Sequence, residues 1–328
     1  MTQPRIFVSR LIPQEGLEIL KEYCQMEISD YDGVLPPSLL LEKVKNTDGL
    51  LVLLTDVINK EVMSAAGKQL KVISNYAVGY NNIDVAEATK LGIMVTNTPG
   101  VLTETTADLA WALLMSIARR IVEGDRFIRA GKFRGWEPML LLGTDIHDAT
   151  LGLIGMGRIG QAMAHRARGF NLKVIYYDKK PVSIDLEKEL GVSYRNFDNL
   201  LMESDFVSIH VPLNEETFHL IGQRELKLMK KESYLINTAR GPIVDEKALA
   251  KALREGIIRG AALDVFENEP KIEPELMDLD NLIMVPHIGS ASYQTRTKMA
   301  IMAAKNLVSA LKGERPEYLV NPEVFDKK

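Results

Sequence analysis

The segment LGLIGMGRIG at 151–160 constrains this chain more than any other. An apolar run that reads as a strand leads straight into Gly155-Met156-Gly157-Arg158-Ile159-Gly160, and helical character begins near Arg158. A glycine pattern of this kind recurs by chance. Between a strand and a helix, however, it aims free backbone N–H groups and the helix dipole at one spot, the geometry that receives a pyrophosphate. Gly155 makes the tight turn, Gly157 lets phosphate approach the backbone, and Gly160 allows helix and strand to pack closely. Eighteen residues past Gly160, Asp178 ends the strand KVIYY, where an acidic side chain accepts hydrogen bonds from ribose hydroxyls. A dinucleotide site follows, with NAD favoured over NADP. Lys179 and Lys180 come next and soften repulsion of a 2′-phosphate, so NADP stands as the alternative.

The surrounding chain predicts an α/β protein. Short apolar runs at Arg5–Val8, Gly49–Leu54, Val72–Ser74 and Ile93–Val95 alternate with helical stretches at Gly16–Tyr23 and Asn59–Ala66. A second series of strands is expected at Leu151–Ile154, Lys173–Tyr177, Phe206–His210, Tyr234–Asn237, Gly260–Val265 and Leu282–Val285, with helices at Arg158–Arg168 and Glu246–Glu255. Strands that are apolar throughout are covered on both faces, so parallel sheets with right-handed crossovers follow. At 328 residues the chain exceeds one ordinary core, and two doubly wound parallel-sheet domains are expected. Thr103–Arg120 reads as one long helix capped by Thr103. Its apolar circumference calls for burial, against a second subunit or within the chain. The last helix, about 294–312, is expected to pack back on the first domain.

Composition excludes several classes. A net charge of -4 gives no broad attraction to nucleic acid or to an anionic membrane surface. A single cysteine forbids an intrachain disulfide, and neither a leader peptide nor an apolar membrane span is visible, so a cytoplasmic protein is expected. Neither H-x-x-x-H nor paired cysteines occur, so no metal site is expected.

Reduction of a 2-keto acid needs a cation for the substrate carboxylate, an acid for the carbonyl oxygen and a partner that keeps the acid protonated. Arg240 follows the strand YLINTA and emerges at the carboxyl end of the sheet, where doubly wound folds bind ligands. Its guanidinium matches a carboxylate bidentately. His287 alone among five histidines follows a strand, LIMVP, and precedes Ile288-Gly289-Ser290, a backbone that can fold closely around a ligand. Imidazole suits the acid's role because its ordinary pKa of roughly 6.5 lies near working pH. Glu269, in ENEP after AALDVF, is the expected carboxylate partner, with Glu267 as its local competitor.

With these residues in view, the chain resembles the D-isomer-specific 2-hydroxyacid dehydrogenases, and within them the glyoxylate/hydroxypyruvate reductase branch. The resemblance rests on NYAVGYNNIDV at 75–85, TETTADLAWALL at 103–114, TLGLIGMGRIGQAMA at 150–164, HVPLNEET at 210–217, LINTARGPIVDEKAL at 235–249, AALDVFENEP at 261–270 and PHIGSAS at 286–292. It implies a Rossmann cofactor domain at 101–289 inserted into a flavodoxin-like substrate domain at 1–100 plus 290–328, with a cleft between them. Arg240, Glu269 and His287 correspond to the catalytic arginine, glutamate and histidine. Val78 and Gly79 would offer N–H groups to the substrate carboxylate, Leu54 would line that pocket, and Ser290 would lie beside it. For the cofactor the resemblance adds Thr106, Val211, Pro212, Thr217, Thr238, Ala239, Asp264 and Gly289 to the turn residues Arg158 and Ile159, with Asp264 facing the nicotinamide carboxamide. Trp136 resembles a tryptophan that reaches into the neighbouring subunit's active site. A homodimer through residues near 100–150 is therefore implied, ordinary interface packing being the alternative role for Trp136.

NADP-using members of the branch usually carry serine or arginine-type residues where this chain has Asp178. The regulatory extension of the long 3-phosphoglycerate dehydrogenases has no counterpart before Lys328, so that substrate is not expected. The expected activity is reduction of glyoxylate, hydroxypyruvate or a similar small 2-keto acid to the D-2-hydroxy acid. A 2-ketogluconate or other D-2-hydroxyacid dehydrogenase, and a dinucleotide-sensing scaffold, are the alternatives.

Overall fold

The computed structural model describes residues 3–326. Two compact units are present, one formed by the segment up to Leu102 together with that from Ser290 onward, the other by Thr103–Gly289. In the first, strands β1 (Arg5–Val8), β2 (Gln25–Ile28), β3 (Gly49–Val52), β4 (Val72–Asn75) and β5 (Met94–Thr96) form a sheet in the order β2-β1-β3-β4-β5. In the second, β6 (Thr150–Ile154), β7 (Lys173–Tyr177), β8 (Val192–Tyr194), β9 (Phe206–Ile209), β10 (Tyr234–Asn237), β11 (Gly260–Leu263) and β12 (Leu282–Met284) take the order β12-β11-β10-β9-β6-β7-β8. Every ladder is parallel. Both are doubly wound α/β sheets, and the strand order of the second reverses between β6 and β9, where such folds bind ligands.

Each sheet has a core on both faces, which explains strands without polar alternation. In the second unit Leu151, Leu153, Tyr176 and Ile236 face one core, and Ile154, Ile175, Ile209 and Leu235 the other. In the first unit Ile6, Val8 and Leu51 lie on one side, Phe7, Leu50 and Val52 on the other. The helix Tyr293–Lys312 packs on Gln14–Tyr23 and on β3, β4 and β5 of the first unit.

Two expectations about one segment need correction. The helix expected over Thr103–Arg120 ends at Ala118; Arg120 turns left-handed at φ 54° and a second helix follows at Ile121–Arg129. Thr103 is the first helical residue, not the cap preceding it. The apolar circumference of this helix is buried inside its own unit, with Trp111, Leu114 and Ile117 in the core beneath β10 and β11. Two strands, β2 and β8, were not expected. Both lie at sheet edges, where the polar sequence QMEI and the three-residue VSY offer no apolar run.

Candidate active site

In the second unit Arg240, Glu269 and His287 each follow the carboxyl end of a strand. The glycine turn closes over the reversal point of the sheet. Gly155 has φ 99°, a left-handed value that favours glycine, and a Cβ on it would stand 2.7 Å from the His210 carbonyl at the end of β9. A Cβ on Gly160 would stand 2.1 Å from the Gly155 carbonyl oxygen, so helix Arg158–Ala167 starts tight against the turn. Gly157 differs: a Cβ there would meet nothing within 4 Å, so its lack of a side chain leaves open space above the helix N-terminus. Arg158 is exposed at this end and Ile159 half-buried.

Asp178, at the end of β7, braces the turn. Its Oδ2 accepts from the Met156 N–H at 2.9 Å and its Oδ1 from the Lys179 N–H at 2.7 Å. Lys179 forms an ion pair with Glu216, so its ammonium is already engaged. After β9, Val211 and Pro212 lead into a loop pinned by buried Thr217, whose Oγ1 donates to the Pro212 carbonyl at 2.7 Å and accepts from the Asn214 N–H at 2.8 Å. His210 contacts Ser208 Oγ through Nε2 at 2.9 Å, and burial pushes its pKa down to about 3, which leaves it neutral.

Beyond β10, Thr238 Oγ1 is buried with no hydrogen-bond partner in the protein, a polar atom that a ligand would satisfy. Ala239 and Arg240 are held by Asn237, which accepts from the Ala239 N–H at 3.0 Å and donates to the Arg240 carbonyl at 2.9 Å. The Arg240 guanidinium donates to the Ala239 carbonyl at 2.8 Å; burial lowers its pKa and the charge of Glu269 opposes that.

His287 follows β12, and its Nδ1 lies 2.8 Å from Glu269 Oε2. The other oxygen of Glu269 accepts from the Phe266 N–H at 3.0 Å. Burial raises the Glu269 pKa, but the hydrogen bond and charge of His287, the Phe266 N–H and Arg240 together hold it below the ordinary carboxylate range. An ionised carboxylate can only accept, so Nδ1 of His287 carries the proton of this bond and Nε2 is the nitrogen left for a ligand. Glu267 is engaged elsewhere. It pairs with His219 Nε2 at 3.1 Å, so a second histidine sits beside a carboxylate, a pairing that sequence order does not reveal.

His287 is left-handed at φ 52°, a conformation that costs energy outside glycine and needs support. Asp264 supplies it. Its carbonyl accepts from the His287 N–H at 2.9 Å, Oδ1 from the Ile288 N–H at 2.6 Å and Oδ2 from the Gly289 N–H at 2.8 Å. Burial pushes the Asp264 carboxyl up to about 6, against the pull of those N–H groups and of His287. The resemblance places Asp264 against a nicotinamide carboxamide; in the structure the side chain is fully buried and both oxygens hold the loop that carries His287. Thr106, buried in the first turns of Thr103–Ala118, flanks Gly289, where a Cβ would stand 3.5 Å from the Thr106 methyl.

In the first unit, the turn Val78-Gly79 is fixed through its carbonyls, which accept from Asn97 Nδ2 and Asn75 Nδ2, each at 2.8 Å. Leu54 and Ser290 are half-buried. Trp136 is 85% exposed, on the segment after Ile121–Arg129, a helix that buries none of its side chains within the chain. Among the described residues no cluster of His, Cys, Asp and Glu could hold a metal, and no helix is long and apolar enough to cross a membrane.

Comparison with known proteins agrees with this fold. Residues 111–289 match the family model for the D-isomer specific 2-hydroxyacid dehydrogenase NAD binding domain. Over 327 residues the chain is 54% identical to a glyoxylate reductase from Korarchaeum cryptofilum, covering 98% of this chain and 97% of that one. A solved structure of the TT0316 protein from Thermus thermophilus superposes with TM-score 0.90 at 44% identity, covering 96% of this chain and 99% of the other. An NADPH-dependent glyoxylate/hydroxypyruvate reductase from Sinorhizobium meliloti, solved with NADP and malonate, superposes with TM-score 0.86 at 31% identity, covering 98% of each chain. With a strand–glycine turn–helix at the reversal of a seven-stranded parallel sheet and these relatives along nearly its whole length, the chain belongs to the D-isomer specific 2-hydroxyacid dehydrogenases.

Proposed function

We propose that this protein reduces glyoxylate, hydroxypyruvate or a similar small 2-keto acid to the D-2-hydroxy acid with NAD(P)H. The observation that carries the proposal is the 2.8 Å contact between Glu269 and His287 Nδ1, which leaves Nε2 as the nitrogen that meets the substrate oxygen. Glu269 keeps the imidazole oriented with a proton on Nδ1, His287 protonates the carbonyl oxygen, and Arg240 binds and polarises the 2-keto acid. The bound dinucleotide supplies the hydride. Gly155, Gly157 and Gly160 with the amides of Arg158 and Ile159 hold its pyrophosphate, Asp178 its ribose, and Thr106, Val211, Pro212, Thr217, Thr238, Ala239 and Gly289 line its site. Asp264 faces the nicotinamide carboxamide in this reading, and its hydrogen bonds to Ile288 and Gly289 fix the loop that carries His287. In the first unit, the N–H groups of Val78 and Gly79 serve the substrate carboxylate, flanked by Leu54 and Ser290.

The test is NADH and NADPH oxidation with a panel of 2-keto acids. The proposal expects turnover of glyoxylate and hydroxypyruvate. Tight NADH binding without turnover of any small 2-keto acid would support the scaffold reading instead. NAD is the expected preference, because Asp178 follows β7, where an acidic side chain accepts from ribose hydroxyls, and Lys179 is paired with Glu216. Asp178→Ser removes a negative charge that repels a 2′-phosphate and raises the NADPH-to-NADH ratio of kcat/KM by roughly tenfold or more. A ratio unchanged by the substitution contradicts this assignment.

A homodimer completes the proposal. Ile121, Ile128, Phe133, Trp136, Met139 and Leu142 all stand exposed within one stretch of chain, apolar surface that a second copy would remove from water. A second copy covers it and brings its Trp136 to the substrate site. Light scattering should return twice the mass of one chain; a single-chain mass at micromolar concentration contradicts the dimer. We also assign the protein to the cytoplasm, where its lone thiol stays reduced. Burial, aided by Asp48, pushes Cys24 up to about 11. Recovery of the native protein in an extracytoplasmic fraction contradicts that assignment.

A further inference from the structure

Arg240 and Glu269 stand on different loops, after β10 and β11, yet Arg240 and the imidazole that Glu269 orients must act on one substrate. The two loops are fastened together at a point away from either side chain. Gly241, next to Arg240, lies flat on the backbone of Phe266; a Cβ on it would fall 1.9 Å from the Phe266 carbonyl carbon. Farther along, the helix Glu246–Arg254 begins, already capped by Asp245. There Glu246 and Glu267 exchange hydrogen bonds: the Glu246 N–H donates to Glu267 Oε1 at 2.9 Å, and the Glu267 N–H donates to Glu246 Oε1 at 2.7 Å. Glu267 also meets His219 Nε2 at 3.1 Å, and the His219 N–H donates to the Pro242 carbonyl at 2.8 Å, which ties a third loop to the Arg240 turn.

We infer that Glu246 and Glu267 are positioning residues, a reciprocal clasp that sets the Arg240 turn against the loop carrying Glu269. Neither acts as an acid or base on substrate. Glu246 is 3% exposed, and each carboxylate is committed to the other's main chain. Burial raises the Glu246 pKa and the Glu267 N–H opposes it, so this group is costly to place and needs its partner. The tie reaches the chemistry through two residues: Glu267 adjoins Phe266, whose N–H holds Glu269 Oε1, while Glu246 opens the helix entered from Arg240 through the turn 241–243. Supporting contacts of this kind hold reacting groups to sub-ångström tolerance, and their loss misaligns the site without emptying it.

The inference rests on the proposed roles of Arg240, Glu269 and His287, and the experiment separates the two. In the full-length protein Glu246→Ala should lower kcat/KM for hydroxypyruvate about tenfold, with the circular dichroism spectrum intact and NADH affinity within about twofold, because the dinucleotide turn is untouched. Glu246→Gln keeps an oxygen acceptor for the Glu267 N–H and should restore kcat/KM to within about threefold of the parent. Should Glu246→Ala not accumulate as folded protein, Glu267→Ala breaks the same clasp from its more exposed side, with the same expected loss. An unchanged kcat/KM in the folded alanine variant, with only the melting temperature lowered, overturns the clasp, as does a glutamine variant impaired as deeply as the alanine one. His287→Ala measured alongside isolates the underlying reading: full activity there removes the catalytic assignment, whereas an inactive His287→Ala beside an unimpaired Glu246→Ala removes only the clasp.

Discussion

Replacing His287 by alanine lowers kcat about 10²- to 10⁴-fold and leaves NADH affinity nearly unchanged, the loss expected for a positioned acid that protonates the carbonyl oxygen. The imidazole cannot be replaced from nearby. His219 is committed to Glu267, and His210 is held neutral by burial at a pKa of about 3. The loss should also be specific to chemistry. The backbone at 287 is fixed by the Asp264 carbonyl and the neighbouring N–H groups by its carboxylate, so the loop keeps its course when the side chain is removed. Stopped-flow reduction of hydroxypyruvate with titration of NADH fluorescence reads both quantities. Near-normal turnover removes His287 from the mechanism.

The second large effect concerns the glycine turn. Gly157→Val should weaken NADH binding tenfold or more while the melting temperature stays within a few degrees. The two halves of this prediction have different causes. Gly157 has an ordinary negative φ of -73° and open space where a side chain would go, so the fold has no reason to reject one. The same open space at the helix N-terminus is where a pyrophosphate must approach the backbone. A valine that leaves NADH affinity intact would make Gly157 a bystander. At Gly160, by contrast, a substitution would press on the Gly155 carbonyl and confuse binding with folding.

What is legible in the sequence is what is local or repeats. The glycine turn, the apolar parallel strands and the residues that follow strand ends at Asp178, Arg240 and His287 can be read because a doubly wound sheet sends its carboxyl ends to one edge. The edge strands β2 and β8 are not legible, because one exposed side relaxes the demand for apolar residues. The choice between Glu267 and Glu269 is open in the sequence for a related reason: in a loop no period says which way a side chain points. The structure gives each its own histidine. Contacts spanning 21 residues, as between Glu246 and Glu267, or 48, as between His219 and Glu267, depend on the turn at 241–243, and no spacing rule anticipates them. Asp264 is legible in part: its position in the motif implies a place at the nicotinamide, and its hydrogen bonds to the loop that bears His287 are added by the structure.

The central claim is that Arg240, Glu269 and His287 direct a hydride to the C2 carbonyl carbon of a small 2-keto acid. It is tested most directly by incubating the protein with hydroxypyruvate and NADH carrying deuterium at both C4 positions of the nicotinamide, then analysing the product by mass spectrometry and chiral chromatography. The account predicts D-glycerate carrying one deuterium at C2, formed by the native protein and lost in His287→Ala. Glycerate of the L configuration, deuterium absent from C2, or no product from a protein that binds NADH tightly would contradict it.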